Sequence, residues 1–266
     1  MKTHPTLPHT LAAAVLLGVT IAAPTAQAAD ATPAAPTETP EYTLTANVGL
    51  YSQYIFRGIS YSQNKPVVQG GADFAHKSGL YAGVFGTSLS SKAIENAVGE
   101  IDLYGGFANS VGDFGYDIGL LQFIFPGSHY PGTSQSYNTL EAYASVSWKM
   151  LKLKYSHELT DYFGFNNTSF GAAGNGNSKG SHYIEANASF DVGSGFGLDL
   201  HAGKQTVHHY GDYNFTDYRI AVAKDLGQGW RASLAWTNTN AKSALYTIDG
   251  VNTGSSKWLA SIVRSF

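Results

Sequence analysis

From Tyr42 onward, apolar and polar residues alternate with a period of two, and no helical stripe competes with that pattern. Successive side chains of a β-strand point to opposite faces, so each alternating run has one greasy face and one wet face. In residues 43–57 Leu44, Ala46, Val48, Leu50, Tyr54 and Phe56, interrupted by Ser52, oppose Thr45, Asn47, Gln53 and Arg57. LEAYASVSW sets Leu140, Ala142, Ala144, Val146 and Trp148 against Glu141, Tyr143, Ser145 and Ser147. In YIEANASF, Ile184, Ala186, Ala188 and Phe190 face away from Glu185, Asn187 and Ser189.

Twelve such runs cover residues 43–57, 66–76, 80–90, 99–109, 114–125, 139–149, 151–163, 182–191, 196–207, 215–225, 230–239 and 257–266. HKSG, NSVGD, the Lys149–Met150 junction, VGSG and LGQG read as tight turns. The other links are longer and rich in Asn, Ser and Gly, and the two kinds alternate without exception. The pattern predicts an all-β fold, a transmembrane antiparallel up-and-down β-barrel of about 12 strands in the bacterial outer membrane, with short periplasmic turns and longer external loops. Its runs match the roughly 9–11 residues that a tilted strand needs to cross a bilayer. Trp148, Phe190, Phe196 and Trp230 flank short turns, while Tyr54, Phe56, Tyr162 and Phe163 approach long loops. Both sets are expected in interfacial belts facing lipid and lipopolysaccharide. The competing reading makes them ordinary core aromatics of a soluble β protein.

The N-terminus carries Lys2, an apolar run from Leu11 to Ala23, and small residues at Ala26 and Ala28. This predicts a secretory signal peptide over 1–28, because the apolar run falls short of the roughly 20 residues needed to span a bilayer. Residues 29–41, rich in Pro, Ala and Thr, read as a flexible periplasmic leader, and 42–266 as the barrel domain. Export exposes thiols to an oxidising compartment, and with no Cys the fold must be stable without disulfides. The net charge is only -3 and the 16 Lys and Arg are scattered, so no basic stripe for nucleic acid forms. The last residues, KWLASIVRSF, end on Phe266 in the outward frame, a terminal aromatic that resembles the signature by which barrel proteins reach their assembly machinery; Arg264 departs from the apolar choice of that frame.

GLYSQYIFRGISYSQNKPVVQGG, then SGLYAGVFGTSLS, EIDLYGGF and YDIGLLQFIFPG, resemble the TorF-type porin family of proteobacteria over about residues 43–266. Where that family shows Trp followed by Ser-Asn, this chain has Phe85 and then Thr87-Ser88. The resemblance implies an outer-membrane barrel with a channel role, and names neither a cargo nor catalytic residues.

In the wet frame fall Arg57, Asp73, Glu100, Asp102, Glu141, Lys152, Lys154, Glu158, Glu185, Asp199, His201, Asp217, Arg219 and Arg231. These residues are expected to line the lumen, with Arg57 near the external end of the first strand, since on the lipid face it would cost about 2–4 kcal/mol at the midplane. Two arrangements fit: a pore with weak selectivity passing ions or small hydrophilic solutes, or a closed barrel whose charges pair across a filled interior. Small inward residues such as Gly49, Gly71, Gly119, Gly203 and Ala221 leave room and favour the pore. The loops at 164–181 and 238–256 keep an adhesive or structural role open.

An enzyme is disfavoured. His157 falls in the outward frame opposite Ala142, as in outer-membrane lipases, but Ala142, Ala144, Ala186 and Ala188 surround it and no nucleophile is in reach. His208-His209 lacks the second ligand pair that a metal site needs. GSGFG at 193–197 joins strand to strand, and Gly203-Lys204 lacks the glycine spacing of a phosphate loop. No cofactor is expected.

Overall fold

The computed structural model describes residues 40–266. The expected signal peptide, 1–28, and residues 29–39 of the expected leader lie outside them. Twelve long strands follow one another: β1 Tyr42–Tyr51, β2 Val67–His76, β3 Leu80–Thr87, β4 Glu100–Val111, β5 Phe114–Ile124, β6 Thr139–Trp148, β7 Leu151–Glu158, β8 His182–Gly193, β9 Phe196–Thr206, β10 Phe215–Gly227, β11 Trp230–Thr239 and β12 Lys257–Ser265. Each pairs antiparallel with its predecessor, and β1 closes on β12, with Asn47 opposite Ser265 and Tyr51 opposite Ser261. The result is the closed antiparallel barrel that the alternation predicts, and among the described residues closure leaves none of the twelve strands as a free edge.

The tight turns are built where the chain can adopt left-handed backbone. Gly79, Gly112, Lys149, Ser194-Gly195 and Gln228-Gly229 all have positive φ. At the N-terminal edge, the exposed Glu41 carboxylate lies 2.7 Å from Lys77 Nζ.

The apolar frame points outward. Leu44, Leu50, Val84, Leu103, Leu120, Leu153, Ile220 and Leu234 stay exposed on the outer wall, far more apolar surface than a soluble protein leaves uncovered. Trp148, Phe190, Phe196 and Trp230 are exposed beside the short turns.

The other expected belt is corrected. β1 stops at Tyr51 rather than residue 57, and β7 stops at Glu158 rather than residue 163. Tyr54, Phe56, Tyr162 and Phe163 therefore sit on loops that turn inward. Tyr54 is buried with Tyr51, Val67 and Val263, Tyr162 and Phe163 are buried in a second, larger core, and Phe56 packs against both, joining the first cluster to that larger core. Phe163 is its hub, with ring centroids 5.8 Å from Phe125, 5.9 Å from Tyr61, 6.0 Å from Phe123 and 6.4 Å from Phe56. Ile94 and Ala97 from the loop after β3 and Tyr210 from the loop after β9 join this core. Burying these rings under the loops outweighs leaving them at a lipid interface, and the long-loop end of the barrel becomes a packed lid.

Candidate functional site

The segment after β1 folds back as a small hairpin, Ile55–Phe56 against Ile59–Ser60, with Arg57 and Gly58 at its tip. Both tip residues have positive φ, 46° and 76°. That is the backbone of a type I′ turn, which suits Gly at the second position and disfavours Arg at the first. A Cβ on Gly58 would stand 2.7 Å from Asp217 Cβ, so glycine is also what lets the tip press against β10. The hairpin sits inside the barrel.

Arg57 thus reaches the lumen from a loop rather than from the first strand, where the alternation placed it. Its guanidinium meets the wall on neighbouring strands. Nη2 donates to Glu141 Oε2 at 2.9 Å, and Nη1 donates to Gln205 Oε1 at 2.9 Å and to Glu158 Oε1 at 3.4 Å. The Tyr183 ring lies 4.3 Å from the guanidinium carbon and the Phe56 ring 4.6 Å. Burial disfavours the charge, but Glu141 and Glu158 outweigh it and raise the Arg57 pKa above the ordinary arginine value. The same burial pushes the phenols of Tyr61 and Tyr162 up.

Below this contact a cavity of about 290 Å³ runs from Arg57 and Glu141 down to the short turn at Lys149 and Met150. Lys152, Lys154, Arg219, Asp117, Glu185, Asp199, His201 and Asp217 line it, so both signs of charge face the same space. The short-turn half of the lumen is hollow, with charged side chains among apolar ones on its lining. The long-loop half is filled by packed aromatic rings together with buried polar groups such as Glu100, Asp102 and Gln205.

The other wet-frame residues also project inward, and most have a partner. Asp217 accepts from Tyr183 at 2.8 Å and lies 3.0 Å from His201 Nε2; Asp199 accepts from Ser189 at 2.7 Å and stands 3.9 Å from Arg231. Glu185 accepts from Asn187, and the Lys154 ammonium lies 4.4 Å from the Tyr143 ring centroid. Lys152 and Arg219 line the cavity beside them. Outside the cavity, Asp73 accepts from Tyr104 and Glu100 from Tyr54. Asp102 is fully buried, and neither of its oxygens has a hydrogen-bond partner among the described residues.

Small inward residues leave less room than their size implies. A Cβ on Gly119 would meet the Tyr143 hydroxyl at 2.5 Å, and on Gly203 the Tyr183 hydroxyl at 1.8 Å. Tyr104 covers Gly83 and Tyr81 covers Gly106 in the same way. The tyrosines lie along the wall over glycines of the adjoining strand, and their hydroxyls reach the carboxylates of Asp73, Asp117 and Asp217. Tyr81 and Tyr143 also share a hydrogen bond. The sequence reading missed this lining, although the high count of 17 Tyr beside 30 Gly was its signal.

His157 pairs with Ala142 on one side, as the register reading has it, and with His182 on the other. Its ring lies 6.2 Å from that of Tyr155, whose hydroxyl is 3.3 Å from Nδ1.

The family model described as "Bacterial protein of unknown function (Gcw_chp)" matches residues 33–266. No curated protein matches the chain. Among solved structures, a KdgM porin superposes with a TM-score of 0.53 at 7% identity, covering 84% of this chain and 99% of the porin. The same porin in complex with disordered oligogalacturonate gives the same figures. A NanC porin superposes with a TM-score of 0.55 at 12% identity, covering 84% of this chain and 99% of that one. At such identities the likeness shows the fold, a closed antiparallel barrel like theirs, and nothing finer.

Proposed function

The chain belongs to the Gcw_chp family of bacterial proteins of unknown function, and from that premise and the lumen geometry we propose that it is an outer-membrane channel of the TorF-type porin class, passing ions or small hydrophilic solutes. In this reading residues 1–28 direct export, 29–41 form a periplasmic leader, the short turns face the periplasm and the long loops face outside. The apolar wall meets lipid and lipopolysaccharide, and Phe266 engages the assembly machinery. No catalytic role enters.

The observation that carries the reading is the charged cavity ending on one loop hairpin. A barrel serving only as a scaffold gains nothing from a hollow into which Lys152, Lys154 and Arg219 are drawn at a desolvation cost, whereas a solute path needs polar groups of this kind. The hairpin closes the path in this conformation, so conduction requires it to move. The KdgM structure with oligogalacturonate supports a small-solute role for this barrel type, and the mixed charges here do not extend that acidic ligand to this chain.

Single-channel recording of the refolded protein in planar bilayers, with Arg57→Ala and Glu141→Ala alongside, tests the proposal. Discrete conductance steps, with selectivity shifted by the substitutions, support it. A second reading, a non-conducting barrel acting through its external loops, is favoured by the aromatic lid around Phe163. Insertion without any conductance in all three proteins would establish that second reading instead.

A further inference from the structure

We propose that the wall site around Glu141 and Glu158 is a receptor for cationic solutes bearing a guanidinium or alkylammonium group, and that Arg57 fills it as a tethered stand-in for such a solute. The inference gives the channel reading a solute class and rests on it for transport, though not for binding.

The wall supplies all the acceptors. Glu141, Glu158, the amide oxygen of Gln205 and the face of Tyr183 come from the four consecutive strands β6 to β9, and they converge on one guanidinium. Paired carboxylates, an amide oxygen and an electron-rich ring form a cation site by type as well as geometry. The guanidinium itself comes from a separate loop, on a residue with left-handed backbone. The cation is thus held by the site and not by its own local structure.

A second observation points to a ligand beyond Arg57. Glu158 Oε2 meets no nitrogen or hydroxyl donor among the described residues although its side chain is 0% exposed, and its carboxyl is in hydrogen-bond contact with that of Glu141. Glu141 Oε1, on a side chain 1% exposed, stands 2.8 Å from Arg57 Nη2, an ion contact without the alignment of a hydrogen bond. Buried acceptors left in this condition are costly. The site therefore offers more acceptor capacity than the tethered guanidinium uses, and a free solute that can reorient its donors would satisfy it better. The cavity brings solutes to this contact from the short-turn end, since Arg57, Glu141 and Tyr183 all line it. An arriving cation that displaces Arg57 releases the hairpin tip, so occupancy of the receptor and opening of the path become one event. An anion gains nothing here, because Arg57 is already committed to acceptors.

The test is titration calorimetry of refolded full-length chain with methylguanidinium, with urea and sodium as controls, on the wild type, Arg57→Ala and Arg57→Ala combined with Glu158→Gln. Removing a tethered competitor, whose effective concentration is of millimolar order or above, should tighten methylguanidinium binding at least about tenfold in Arg57→Ala. The added Glu158→Gln should abolish that gain, and urea should not bind. Equal binding in wild type and a folded Arg57→Ala overturns the proposal. If Arg57→Ala does not fold, Arg57→Lys keeps a charge between the carboxylates but loses the planar fork; it should bind methylguanidinium more tightly than wild type, and no difference again overturns the proposal. Conductance recorded on the same proteins separates the two readings: binding without any conductance removes the channel and leaves the receptor, and conductance without binding does the reverse.

Discussion

Glu141 and Glu158 stand directly opposite each other on adjacent strands, both closed to solvent, with a single guanidinium between them and the lumen. The two carboxyl groups are in side-chain hydrogen-bond contact, and like charges at opposed positions destabilise a sheet, so a cation beside them favours this register. Arg57 supplies it from a loop that no ladder bond ties to β6 or β7. The barrel wall and the hairpin plug are therefore stable together and strained apart.

Arg57→Ala should cost about 3–5 kcal/mol, the usual effect of leaving buried charges without their partner. The expected outcome is a lower midpoint for the heat-induced gel mobility shift of the refolded barrel, together with more open time in bilayer recordings. A midpoint equal to wild type would show that the wall holds both carboxylates without the latch.

Gly58→Val separates the plug from its charges. Its φ of 76° and a Cβ position 2.7 Å from Asp217 Cβ both oppose any side chain, while Arg57, Glu141 and Glu158 stay as they are. Backbone strain of this kind costs about 1–3 kcal/mol. The variant should raise open probability with little change in ion selectivity, and an unchanged open probability would mean that the tip does not gate.

Gly203→Ala tests the tyrosine lining. The new methyl group would overlap Tyr183, which donates to Asp217 and stacks under Arg57, so one small change disturbs both. Overpacking predicts a loss of about 1–3 kcal/mol. Gly112→Ala, with nothing within 4 Å of its Cβ but a φ of 59°, is the control that carries backbone strain without the ring clash. The gel midpoint should fall further for Gly203→Ala than for Gly112→Ala.

The strands were legible because lipid and lumen impose opposite chemistry on alternate residues, so Leu140 to Trp148 declares both its faces without help from its neighbours. The loop hairpin was not. Tyr54 and Phe56 continue the apolar frame of Val48 and Leu50, and only Ile55 on the wrong face and Gly58 after Arg57 mark the turn. The lid was hidden for a related reason: Tyr162 and Phe163 look alike as belt or core residues until distant loops are seen to pack on them. Glycines such as Gly119 and Gly203 read as empty space because the ring that fills it comes from another strand.

Phe266 holds the seam of the barrel by its backbone: its N–H donates to Ala46 at 2.8 Å, and Ala46 donates back at 3.3 Å. Deleting it removes both bonds, each worth about 1 kcal/mol net, and the terminal aromatic with them. The folded barrel should lose little stability in detergent, whereas the amount assembled in cells should fall sharply if the ring is what the assembly machinery reads. Loss of the two in equal proportion would assign Phe266 a seam role alone.

Leu120 lies near the middle of β5 on the outer wall and is 50% exposed. In water its replacement by Arg would be close to neutral, since nothing packs over that surface and an added charge there is solvated. At the midplane of a bilayer the same change costs about 2–4 kcal/mol. Leu120→Arg should therefore leave the fold intact in a solvating medium and destabilise the protein in vesicles, measured as unfolding by denaturant in each. Tyr42→Arg, at the end of β1 beside the short turns, should cost far less in vesicles because an interfacial guanidinium can reach water. Equal, small effects at both positions would place the apolar wall against something other than lipid.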